Sequence, residues 1–254
     1  MSFSTSSREP PRAAELHREV CVTAPSRLHF GLMSLDHRHG RRFGGVGLMI
    51  DAPGVSIRAH RAAEFQTTGP LAELVGGFAN RFFAHLGYDD PPPVAIRVER
   101  APPDHVGLGT GTQLGLAVAA ALNTLCGQPL TDVTSLAAAV GRGRRSAIGV
   151  HGFAEGGLLV EFGSLPSERL APLKYRAAVP DTWRFVLLRP PDVRGTSGTA
   201  EERAFAELPA VSRGFTRALQ DEVERQLLPS LKHADFDAFA HSIYRYGSLA
   251  GEAF

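Results

Sequence analysis

The sequence predicts an α+β fold. Three observations lead there: short strand-like segments crowd the region before residue 60, helical and strand patterns then alternate irregularly, and no internal repeat or regular strand–helix alternation points to a doubly wound parallel sheet. The chain of 254 residues is long enough for one large domain or two modest ones, and its apolar share of 43% supports a real core.

The elements follow in order. Residues 1–18 are polar and charged and read as a disordered tail. Val20-Cys-Val-Thr-Ala24 opens the strand pattern, which continues through 27–35 with apolar Leu28, Phe30, Leu32 and Leu35, then 46–51 and 55–59. Gly and Pro between these short runs predict an antiparallel start. Leu74, Val75, Phe78, Phe82 and Leu86 recur at helical spacing, so 71–86 reads as a helix with Gly87 as its stop. Pro91-Pro92-Pro93 forces an extended chain into the strand 94–98. Pro102 and Pro103 lead on to the glycine-rich run His105-Val-Gly-Leu-Gly-Thr-Gly-Thr-Gln113.

Residues 113–126 form the next helix; Leu114, Val118, Leu122 and Leu125 make one stripe, and small residues on the other faces predict burial on most sides. Thr131 is the expected N-cap of a short helix ending at Val140, followed by a loop bearing Gly141, Arg142, Gly143, Arg144 and Arg145. Residues 156–162 return as a strand. With a boundary near residue 180, the pattern divides the chain into a domain over 19–180 and a partial second domain over 181–254. The second section should hold a strand at 185–188 and helices at 199–208, 215–228 and 236–249. The last helix meets Phe254 without a cap or stop signal, so the C-terminal domain reads as incomplete.

The 27 basic and 26 acidic residues nearly cancel, which argues against partnership with nucleic acid or a membrane surface; an anion would need a local site. No apolar run reaches the length of a membrane span, and the polar, charged segment before Val20 has no apolar signal core, so export is not expected. Cys21 and Cys126 read as small core residues of a reducing, cytoplasmic protein.

The glycine-rich run is where chemistry concentrates. A helix start carries unpartnered N–H groups and about half a positive charge. Gly107, Gly109 and Gly111 let a phosphate approach the backbone around Leu108, and the hydroxyls of Thr110 and Thr112 can donate to it, or Thr112 can meet a bound Mg²⁺. The run fits neither the dinucleotide fingerprint nor the P-loop, and the same glycines also suit a plain strand-to-helix turn.

His29 lies between Leu28 and Phe30 and so projects to the sheet face opposite theirs. It is a candidate for substrate contact or a hydrogen-bonded structural histidine. His151, between Gly149 and Gly152, has the same two readings. Ser146 suits a phosphate donor or a helix cap, and Asp36 a turn residue or a metal ligand. His37, Arg38, His39, Arg41 and Arg42 fit no zinc site and read as a mobile basic loop over the site.

Pro102 and Gly107-Leu-Gly-Thr-Gly-Thr112 opening a small-residue helix resemble the phosphate loop of the GHMP kinase superfamily, and Ala24-Pro-Ser-Arg-Leu28 with Gly44-Gly45 resembles its N-terminal motif. More narrowly, Ser26-Arg-Leu-His-Phe-Gly31, the loop through Gln113, and Gly141-Arg-Gly-Arg-Arg-Ser-Ala-Ile-Gly149 resemble the β-ribofuranosylaminobenzene 5′-phosphate synthase family, over about residues 20 to 254. The resemblance implies a GHMP-kinase-like two-domain fold and a homodimer. It also implies Mg²⁺-dependent transfer of a phosphoribosyl group from phosphoribosyl pyrophosphate to 4-hydroxybenzoate or 4-aminobenzoate, with loss of CO₂ and pyrophosphate, in methanopterin biosynthesis. Where kinases of the superfamily often place an Asp before a Gly-Gly pair, Ser146 to Gly157 contains none.

On this reading Arg27, His29 and His151 are the catalytic candidates. Ser26, the loop residues through Gln113, Arg144, Arg145 and Ser146 are the phosphate-binding ones; arginine suits the work because its planar fork matches phosphate and carboxylate oxygens. Two alternatives stay open: an ATP-binding small-molecule kinase of the same superfamily, and a non-catalytic phosphate- or nucleotide-binding relative.

Overall fold

Two long strands form the spine of the structure, a computed structural model that describes residues 19–34, 40–129, 131–189, 195, 203–204, 207 and 211–253. Strand β1 (Glu19–Ser34) pairs antiparallel with β2 (Phe43–Arg61) along its whole length. The four short strands expected here are therefore two. Ala24 pairs with Val55 and Ser26 with Ile50, so Pro25 faces the detour 51–54, where prolines sit without breaking the ladder.

The other edge of β2 is shared: β4 (Val94–Arg100) pairs with residues 56–61, and β5 (Leu158–Glu161) with residues 45–48. Strand β3 (Gln66–Thr68) runs parallel to β4, and β6 (Leu173–Ala177) antiparallel to β5, completing one six-stranded sheet. Strand β3 has three residues and no apolar alternation, and β6, although Leu173, Tyr175 and Ala177 alternate with Lys174 and Arg176, is only five residues long, which is why periodicity overlooked them.

Helices cover both faces. Val75, Phe78 and Phe82 of α1 (Ala72–His85) pack with the apolar residues of α2 (Thr110–Leu125) over Ile57, Ile96 and Val98. Helix α2 is buried on most sides, and a Cβ on Gly115 would lie 3.1 Å from Phe78, so small residues there let α1 approach closely. On the opposite face, Met33, Val46, Leu48, Leu158 and Val160 meet the C-terminal helices through Leu219, Val223, Leu227, Phe239 and Tyr246. These are α5 (Arg213–Glu222), which passes through a π-helical turn (Val223–Leu227) into α6 (Leu228–Lys232), and α7 (Phe236–Gly251). Among the described residues no helix is long and apolar enough to cross a membrane.

Several expectations need correction. Residues 185–188 form no strand: Val186 is 82% and Leu188 91% exposed, and the aromatic rings of Trp183 and Phe185 anchor this stretch on Phe239 instead. Cys21 is exposed, because Val20 and Val22 take the inward positions of β1 and strand alternation turns Cys21 outward; Cys126 is half-buried.

The helix α3 (Val133–Ala139) is capped by Asp132 and not Thr131, since the Asp132 carboxylate accepts from the amides of Thr134 (2.8 Å) and Ser135 (3.0 Å). Asp132→Ala should lower stability by about 1 kcal/mol in chemical denaturation. The tail 1–18, Asp36, His37, Arg38, His39 and most of the expected helix at 199–208 lie outside the described residues.

Candidate active site

The glycine-rich run carries β4 into α2 with positive φ at His105 (59°), Gly107 (83°) and Gly109 (67°). Gly109 is the N-cap and has no side chain to fill the capping position. Its carbonyl accepts from the amides of Thr112 (3.0 Å) and Gln113 (3.1 Å), which leaves the amides of Thr110 and Gly111 to be satisfied from outside the helix. An anion fits that position.

Arginines flank it. The Arg27 amide donates to the Leu108 carbonyl (2.9 Å), stapling β1 to the loop, and a Cβ on Gly109 would lie 3.2 Å from Arg27 Cβ and 3.3 Å from its Nε. On the other side an Arg142 nitrogen lies 3.2 Å, and Asp104 Oδ1 3.7 Å, from the Cβ position of Gly111. The Arg142 guanidinium also stacks 4.7 Å from the centre of the Phe78 ring. Burial holds the Arg142 pKa below its ordinary value, and repulsion from Arg81 and Arg145 adds to this while Asp104 opposes it. In a chain of net charge +1, this is a local concentration of positive charge at a positive helix end.

The structure sorts the expected site residues. Arg27, Gly109, Gly111, Thr112 and Ser146 are brought together with Arg142, and the charge of Arg145 lies near enough to repel that of Arg142. The Thr110 hydroxyl turns away and donates to the Pro103 carbonyl (3.2 Å), so Thr110 offers a ligand its amide and not its hydroxyl. Gln113 is fully buried, and its Nε2 donates to the Gly149 carbonyl (2.7 Å), tying α2 to α4 (Ile148–Glu155). Ser26 is fully buried and its hydroxyl has no hydrogen-bond partner among the described residues, so nothing ties that hydroxyl to the loop.

Arg144 is exposed and makes no ion pair among the described residues. His151 is occupied elsewhere, its Nε2–H donating to the Ala171 carbonyl (2.8 Å), and no hydrogen bond among the described residues joins its ring to the loop. Arg41 and Arg42 are pinned, Arg41 by a bidentate pair with Glu168 and Arg42 over the Phe43 ring. Arg41 lines a cavity of about 710 Å³ with Lys174, Arg213 and Arg217 beyond Ser34; that cavity shares no residue with the loop.

Beneath Arg27 lies an arrangement the sequence reading missed. His29 does project opposite Leu28 and Phe30, and its ring lies over Gly45, where a Cβ would come within 2.7 Å of it. The Gly31 amide donates to His29 Nδ1 (3.2 Å), so the proton sits on Nε2, which donates to Ser146 Oγ (3.2 Å). Desolvation, with Arg27 adding to it, pushes the His29 pKa down to about 3, so the ring is neutral at physiological pH.

Ser146 adjoins Glu161, the fully buried last residue of β5, whose Oε1 accepts from the Ala147 amide (2.7 Å). Burial pushes the Glu161 pKa up to about 7 against the pull of Ser146, the Ala147 and Ile148 amides and Arg27. A carboxylate ending the apolar run Leu-Leu-Val-Glu161 was the available signal. For Arg142 no signal could separate it from Arg144 and Arg145 in one glycine-broken run.

Residues 73–157, from α1 to the turn before β5, match the family GHMP kinases N terminal domain. The chain is 34% identical over 242 residues to the beta-ribofuranosylphenol 5′-phosphate synthase of Archaeoglobus fulgidus, spanning 90% of this chain and 75% of that one. It is 30% identical over 249 residues to the Methanothermobacter thermautotrophicus protein of the same name, spanning 89% and 74%. The backbone matches Streptococcus pneumoniae phosphomevalonate kinase with a TM-score of 0.63 at 15% identity, covering 94% of this chain and 80% of that one. At that identity the likeness bears on the fold alone.

Proposed function

Because the chain belongs to the β-ribofuranosylphenol 5′-phosphate synthase family, we propose that it transfers the phosphoribosyl group of phosphoribosyl pyrophosphate to a para-substituted benzoate, with loss of CO₂ and pyrophosphate, in methanopterin biosynthesis. The relatives are named for a ribofuranosylphenol product, which favours 4-hydroxybenzoate over 4-aminobenzoate as acceptor. The observation that carries the reading onto this chain is the uncapped α2 terminus held between Arg27 and Arg142.

In this reaction negative charge grows on the departing pyrophosphate while the ribose C1 becomes cation-like. Groups fixed in advance where charge grows lower the barrier most. The amides of Thr110 and Gly111 and the forks of Arg27 and Arg142 are such groups, and all are held by backbone or packing. His29, neutral and with its Nε2 proton already donated, shapes the site and does not serve as its acid or base.

No cluster of three or more His, Cys, Asp or Glu side chains able to hold a metal occurs among the described residues. Mg²⁺ commonly takes one or two carboxylates and completes its shell with phosphate oxygens and water. Asp104, beside Gly111 and bonded to the His105 amide (2.9 Å) and ring (3.0 Å), would with the Thr112 hydroxyl hold an ion carried in on the pyrophosphate. Bound there, it would neutralise charge on the leaving oxygens. The free thiols Cys21 and Cys126 support a reducing compartment, the cytoplasm, as its place of work, and a homodimer belongs to the same reading.

Folded protein supplied with phosphoribosyl pyrophosphate, Mg²⁺ and carboxyl-labelled 4-hydroxybenzoate should release labelled CO₂ and pyrophosphate in equal amounts. Failure to release CO₂ from either benzoate, by protein that binds phosphoribosyl pyrophosphate, would overturn the proposal. Stoichiometric ATP consumption with a hydroxyl substrate would instead favour a kinase.

A further inference from the structure

The reaction outlined above makes no use of Glu161, yet this carboxyl is fully buried, a placement that costs several kcal/mol unless its surroundings compensate. The groups facing it come from three elements: Arg27 and His29 on β1, Ser146 and the first amides of α4, and Tyr246 on α7. Helix α4 has no side-chain cap of its own, and Glu161 Oε1 accepts from its N-cap amide, Ala147, across from β5. A carboxylate there also meets the positive end of the helix. Glu161 Oε2 has no hydrogen-bond partner among the described residues.

Ser146 connects this carboxyl to His29. Its Oγ accepts from His29 Nε2 (3.2 Å) and from the Ile148 amide (3.3 Å), so the hydroxyl proton is left to point toward Glu161. At its other end the ring is fixed by the Gly31 amide, and it lies over Gly45, the residue that pairs with Glu161. We propose that Glu161 is a positioning residue of the transferase site: it caps the turn into α4 and orients Ser146, which holds the His29 ring in its neutral Nε2–H form beside Arg27. The inference rests on the loop being the transferase site, but the arrangement is measurable without turnover.

A second consequence follows from charge. With a pKa raised to about 7, Glu161 is divided between its two forms at neutral pH, and Arg27 favours the ionised one. An anion bound at Arg27 offsets that support, so binding should draw a proton onto the carboxyl, where unpartnered Oε2 can carry it.

The test compares wild type with Glu161→Gln and Glu161→Leu, using nitrogen-15 histidine NMR, pyrophosphate calorimetry in two buffers of different ionisation heat, and CO₂ release. Wild-type His29 should show a single Nε2–H tautomer that does not titrate between pH 8 and 5. Glu161→Leu should mix the tautomers and lower kcat at least about tenfold with a much smaller change in KM, as expected for a misaligned site. Glu161→Gln, which keeps the acceptor for Ala147, should recover part of kcat but lose the proton uptake on pyrophosphate binding. An unchanged His29 tautomer and kcat in a folded Glu161→Leu would overturn the proposal. If Leu prevents folding, absence of proton uptake by wild type together with an unchanged His29 signal in Glu161→Gln would do so. Should wild type release no CO₂ while the variants still shift His29, the transferase reading fails and the positioning role stands.

Discussion

Gly109→Val should weaken binding of phosphoribosyl pyrophosphate, read by calorimetry, at least about a hundredfold, or nearly 3 kcal/mol. Two effects act together. Gly109 sits at φ 67°, and a left-handed conformation costs an ordinary L residue about 1–2 kcal/mol, more for a β-branched one. The added Cβ would also lie 3.2 Å from Arg27 Cβ and 3.3 Å from Nε, and the valine methyl groups extend further into the space an anion needs. Arg27 cannot back away, because its own amide is bonded to Leu108 in the same loop. Gly107→Ala separates the causes: Gly107 has φ 83° but open space around its Cβ position, so stability should fall by about 1 kcal/mol with little loss of affinity. Equal losses of affinity in both variants would show that backbone strain alone matters and that the anion lies elsewhere.

Arg27→Ala should lower kcat/KM for CO₂ release by about 10²–10³. A hydrogen bond to a charged group contributes about 1.5–3 kcal/mol, and a bidentate guanidinium can make two. Since 1.4 kcal/mol is tenfold, even the lower figure for two bonds gives about a hundredfold. Arg27→Lys keeps the charge and loses the fork, so it should fall about tenfold short of wild type. Arg144→Ala, at an exposed position on the same basic run, should change kcat/KM less than about twofold. If Arg144 mattered as much as Arg27, the site would be drawing on the general positive field of the run and not on the fork held against Gly109.

What could be read in the chain, and what could not, divides along the range of the forces involved. The helix 72–85 and the buried α2 were legible because a 3.6-residue apolar period reports which face meets a core, whatever that core is. The loop was legible because glycines before a helix imply positive φ and exposed amides, both local properties. His29 was placed on the correct face by strand alternation alone. Residues 185–188 misled for the same reason: their apolar content suits a strand, but a strand needs an edge to pair with, and Trp183 and Phe185 were taken up by Phe239.

By itself, the sequence determined the α+β class and the glycine-borne start of α2 with its unpartnered amides, since these depend on periodicity, φ preference and helix polarity. Only the tertiary structure decided which polar side chains face that start. Thr110, Gln113 and His151 spend their donors on the carbonyls of Pro103, Gly149 and Ala171, contacts made as neighbouring segments pack. Arg142 entered the site because it stacks on Phe78 of α1, and Glu161 because β5 brings it beneath Ser146 and His29, 117 positions apart in sequence. A hydrogen bond or an ion pair is settled by positions in space, and a pattern along one strand or helix carries no record of them.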